Sequence, residues 1–88
     1  MSFAISIAQR VAAGASLLLA IAEHRSKLSL LANAARNLQW ARVRLVLHDV
    51  RTHAIYRLAQ DAWREALRLE EEAAIRVTDA KRRYRELA

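Results

Sequence analysis

The sequence predicts an all-α fold of two or three long helices, forming a hairpin or bundle with coiled-coil-like packing whose core is completed by oligomerisation or a partner chain. Three observations predict it. The 88 residues include no proline and a single glycine, Gly14, so the two residues that most often interrupt a helix are nearly missing. Alanine, leucine and arginine dominate, and each loses little side-chain freedom in a helix. Apolar residues recur at steps of three and four over long stretches, while the alternation of a strand is nowhere sustained.

The first helix is expected over about residues 3–24. From Phe3 to Ala22 the chain is apolar on every side apart from Gln9, Arg10 and small serines, with Ser2 available as a cap. A helix that is hydrophobic all round must be covered. Phe3, Ile7, Val11, Leu18 and Ile21 are its candidate anchor residues. Three readings of the segment stand side by side. It is a helix buried in protein, a membrane span, or an export signal with Val11–Ala22 as its apolar region and Ala20-Ile21-Ala22 as the cleavage pattern. Arg10 counts against a span, since a cation near the middle costs about 2.5–3.5 kcal/mol on insertion scales.

A bend is expected at Glu23-His24-Arg25-Ser26-Lys27-Leu28-Ser29, a polar run in which Ser26 or Ser29 would cap a second helix over about residues 28–48. That helix is amphipathic. Leu31, Ala34, Leu38, Ala41 and Leu45 fall on one face, and Asn33, Arg36, Asn37, Trp40 and Arg44 on the other. Around His48–His53 the pattern fits a turn as well as an unbroken helix. No glycine closes the preceding helix there.

The third helix, about residues 52–87, carries the strongest periodicity. Ile55, Ala59, Ala62, Ala66, Leu69, Ala73, Val77, Ala80, Tyr84 and Leu87 keep a three-four spacing, with bulk at the edges from Tyr56, Leu58, Trp63 and Leu67. Two consecutive four-residue steps, Leu69 to Ala73 to Val77, break the strict heptad and predict a local relaxation of supercoiling. This seam, with Trp63, is the candidate assembly surface. The opposite arc carries charges of both signs, and Glu72 with Arg76, Asp61 with Arg64 and Asp79 with Arg83 have helix-neighbour spacing.

One domain, residues 1–88, is expected, and a chain this short buries only about 60% of the surface that its unfolded form exposes. With no cysteine, disulfides, thiolate zinc sites and thiol nucleophiles are excluded. Of the other supports for a small domain, a metal or a partner chain, a homo-oligomer or a protein partner is the leading candidate, with a membrane as a further candidate partner.

The net charge of +6 is unevenly placed: residues 1–60 hold eight Lys/Arg against two acids, and residues 61–88 hold seven against seven. The central excess makes Arg36, Trp40, Arg44 and Arg51 a candidate nucleic-acid face, in which arginines meet phosphates and the indole stacks on a base. The bland reading of the same residues is a solvated helix face, and no helix-turn-helix or zinc-finger pattern accompanies them. Lys81-Arg82-Arg83-Tyr84-Arg85 also has the composition of a basic patch, and the structural reading beside it is the preference for cations at a helix C-terminus.

Catalysis and metal binding find little support. His48 and His53 are five residues apart, which on a helix turns them ~140° from each other instead of onto one face. Glu70, Glu71 and Glu72 point in different directions along a regular helix, and no phosphate-cradling glycine loop or activated serine is present. The expectation is a non-catalytic structural or interaction subunit with no cofactor, metal or small-molecule substrate. Its apolar N-terminal helix would be buried in a partner or membrane and its C-terminal helix would form the assembly surface.

Overall fold

The structure, a computed structural model, describes residues 2–45 and 50–87. Both stretches are helical, α1 over Ser2–Leu45 and α2 over Val50–Leu87, and the two pack along their length as an antiparallel hairpin. Direction follows from the pairing. Arg10 meets Leu87, Glu23 meets Arg76, His24 meets Glu70, and Trp40 shares a furrow with Leu58. The partner number falls as the first rises.

The expected bend at Glu23–Ser29 is absent: α1 runs through it as one 44-residue helix. The physical reason is that this segment holds neither proline nor glycine, and its polar residues find partners along the helix pair. His24 bonds Glu70 at 2.9 Å and Glu23 takes an ion pair from Arg76 at 2.6 Å. The candidate turn at His48–His53 lies partly outside the described residues, as does His48.

The interface is a strict heptad on both helices. In α1, Leu17, His24, Leu31 and Leu38 alternate with Ala13, Ala20, Lys27, Ala34 and Ala41. In α2, Tyr56, Trp63, Glu70 and Val77 alternate with Ala59, Ala66, Ala73 and Ala80, and all of these are buried or half-buried. Alanine recurs every seventh residue in α2 and, apart from Lys27, in α1, which lets the backbones approach closely. Ala41, Ala66 and Ala73 are at most 2% exposed. This seam differs from the expected one over its first half, where Ile55 and Ala62 are exposed and Tyr56 and Trp63 turn inward instead. The irregular step at Leu69–Ala73–Val77 disappears once Glu70 is given its place in the seam.

Cα extents of 71 × 14 × 13 Å describe a rod one helix long, since 44 residues at about 1.5 Å each span ~66 Å. The two short extents are nearly equal, whereas two straight helices side by side would form a ribbon much thinner one way than the other. The pair is therefore not a flat, straight ribbon, in keeping with the supercoil that a seven-residue repeat favours. Arg10 closes the far end by donating from Nε to the carbonyl of Leu87 at 2.7 Å, placing a cation on the negative end of the α2 dipole.

The charge pairs also rearrange relative to the sequence expectation. Arg68 grips both Glu65 and Glu72, Arg76 crosses to Glu23 on the other helix, and Asp79 lies nearest Arg82. The hydrogen bond from Arg68 holds the Glu65 carboxyl below its ordinary value.

Candidate functional site

Among the described residues the core is narrow: Ala34, Leu38, Ala41, Ala66 and Ala73 are the buried apolar residues, and no large side chain is fully enclosed. The hairpin exposes 6915 Å², whereas a compact protein of 10.0 kDa exposes roughly 5,200 Å². The excess exceeds the ~800 Å² that one partner contributes to a standard interface.

The seam divides this exposed surface into two flanks. On the first, Gln9, Ser16, Leu19 and Glu23 of α1 and Arg76, Asp79, Arg83 and Glu86 of α2 line an open furrow floored by Ala13, Ala20 and Ala80. Nearer the hairpin end, Asn37, Trp40 and Arg44 face Ile55, Leu58 and Ala62 across a second furrow of the same flank. Leu19, Leu30, Trp40, Ile55 and Leu58 lie uncovered along it, and Leu19 is 72% exposed. Its charges are of both signs: Glu23, Glu65, Glu72, Asp79 and Glu86 against Arg44, Arg76 and Arg83.

The opposite flank carries an aliphatic ridge. Ile7, Val11, Leu18, Ile21 and Leu28 follow one another down α1 at helical spacing. Val11 is 67% and Leu18 70% exposed. Beside the ridge, the ring of Tyr84 lies over Gly14, 3.5 Å from where a Cβ would stand there. Arg25, Lys81 and Arg85 are exposed along this stretch, and among the described residues Glu71 is the single acid of the flank.

The sequence-derived sites divide accordingly. Ala59, Trp63, Ala66, Ala73, Val77, Ala80, Tyr84 and Leu87 of the expected assembly seam lie on or beside the contact with α1, while Ile55, Ala62 and Leu69 lean onto the furrowed flank. Of the N-terminal anchor, Ile7, Val11, Leu18 and Ile21 form the ridge; the side chain of Phe3 lies outside the described residues. Of the candidate nucleic-acid face, Trp40 and Arg44 line the second furrow together. Arg36 is tied to Asn33, and the side chain of Arg51 lies outside the described residues. His24 is the functional-type residue whose role the sequence reading missed. The signal was its place exactly seven residues from both Leu17 and Leu31.

By length and composition α1 is apolar enough to cross a membrane. The hairpin as packed does not suit a span, because α2 lays Arg76, Asp79, Lys81, Arg82, Arg83 and Arg85 along the same stretch. Each ion at a bilayer centre would cost about 2.5–3.5 kcal/mol. No group of three or more metal-ligating side chains gathers among the described residues. No protein-family model, curated protein or solved structure matches this chain.

Proposed function

We propose that this chain is a non-catalytic helical assembly subunit that docks through its furrowed flank, with a second copy of the hairpin as the partner. The carrying observation is the row of uncovered apolar side chains there, Leu19, Leu30, Trp40, Ile55 and Leu58. Burying apolar area is worth about 25 cal/mol per Å², and a hairpin with so thin a core gains most by having this row covered. The mixed charge of the flank supports self-pairing, since in a two-fold interface the same patch meets itself. Acids and arginines both present can then pair across it.

Mass measurement in detergent-free buffer tests the reading. A mass at a multiple of 10.0 kDa is expected, persisting as salt rises because apolar burial is not screened. Leu58→Gln should shift it toward the monomer. A compact solitary monomer at all concentrations would overturn the proposal. So would an oligomer that dissolves in salt and is restored by a nucleic acid, which would favour binding of a polyanion.

A further inference from the structure

We infer that the ridge flank is a docking surface for an anionic lipid bilayer, on which the hairpin lies flat without crossing it. The surface has two components that act together. Ile7, Val11, Leu18 and Leu28 form an uncovered aliphatic line some 21 residues long, roughly 32 Å of helix. Arg25, Lys81 and Arg85 border it with their side chains exposed. An apolar strip bordered by Lys and Arg is the pattern that settles a helix at the headgroup boundary. Its apolar side enters the acyl edge and its cations meet lipid phosphates. Tyr84, 43% exposed beside the ridge, is an aromatic of the kind that favours this depth.

Charge selects this flank over the other and lipid over a second copy. The furrowed flank carries Glu23, Asp79 and Glu86 beside Arg76 and Arg83 along the same length of the rod, so it offers an anionic surface no cationic excess, whereas the ridge border does. A second copy meeting the ridge by two-fold symmetry would set this cationic border against itself. A bilayer with anionic headgroups satisfies both components. The depth of insertion is limited by α2, whose charged residues run beside the ridge and remain at the headgroup level.

The neighbours Leu18 and Leu19 make the inference testable, because they are equally exposed, at 70% and 72%, and lean to opposite flanks. Flotation of the whole chain is measured with vesicles of phosphatidylcholine alone and with vesicles of equal parts phosphatidylcholine and phosphatidylglycerol. Helicity by circular dichroism checks that each variant folds. Binding is expected on the mixed vesicles and little on the neutral ones. Leu18→Gln should weaken it about tenfold, the partition of one mostly exposed leucine. The pair Lys81→Gln with Arg85→Gln should weaken it roughly 25-fold, about fivefold for each cation at such a surface. Leu19→Gln and Arg83→Gln should leave it within about twofold. Equal binding to neutral vesicles, equal losses for Leu18→Gln and Leu19→Gln, or no binding to either vesicle would overturn the inference. Binding of single-stranded nucleic acid that is lost with the cation pair but indifferent to Leu18→Gln, with no vesicle binding, would reassign the flank to a polyanion. The assembly reading is scored separately, by mass without vesicles.

Discussion

Ala66→Glu compared with Arg64→Glu tests the seam most directly. The two residues are two positions apart on α2, so they share their distance from the helix ends, yet Ala66 is 2% exposed and Arg64 is exposed. A carboxylate at Ala66 must be desolvated against α1 or must push the helices apart. An uncompensated buried charge costs about 3–5 kcal/mol, and opening the seam loses the packing of the neighbouring alanine layers as well. Arg64→Glu leaves the contact untouched, and exposed substitutions of this kind stay within about 0.5 kcal/mol. For a chain of this size 1 kcal/mol moves Tm by ~4–8 °C. Ala66→Glu should therefore lower Tm by at least about 12 °C, and Arg64→Glu by less than about 4 °C. Thermal unfolding followed by circular dichroism reads both. Equal shifts, or a harmless Ala66→Glu, would mean that this face of α2 is not the one packed on α1.

Three further outcomes follow from the same geometry. Gly14→Ala should raise Tm by about 4–8 °C: the new Cβ would stand at ordinary contact distance from the Tyr84 ring, 3.5 Å, and replacing a helical glycine gains about 1 kcal/mol. A fall in Tm would show that the ring has no room to spare. At the His24–Glu70 pair, whose side chains are 26% and 18% exposed, Glu70→Ala alone should cost about 1–3 kcal/mol in chemical denaturation by stranding its partner. The double change His24→Leu with Glu70→Leu, by extending the apolar heptad, should be neutral or stabilising by up to ~4 kcal/mol, and a double variant weaker than Glu70→Ala would show that the pair does more than fill the seam. Glu65 has its folded-state value lowered by the Arg68 hydrogen bond. Its contribution is complete above the ordinary carboxylate value and is lost as pH falls through the folded one. The acid side of a Tm-against-pH curve should thus be shallower in Glu65→Gln than in the parent, and identical slopes would mean that this exposed pair does not act in solution.

The chain's helicity, its lack of proline and the three-four spacing of its apolar residues are local properties, and the sequence by itself determined them. Propensity and periodicity need no partner to be read. The candidate surfaces were legible only in part. Ile7, Val11, Leu18 and Ile21 stand out as an apolar line in the sequence, but which cations border them depends on how α2 is placed beside α1. The tertiary structure alone decided how polar residues within the rhythm were to be understood. His24 and Lys27 look like a bend as long as α1 is considered singly, and Glu70 looks like a surface glutamate as long as α2 is. Brought together, His24 and Glu70 hydrogen-bond across the seam, so one contact removes both the bend in α1 and the irregular step in α2. A polar side chain marks a loop or an outer face only when nothing opposite can satisfy it, and what lies opposite is a property of the packed pair.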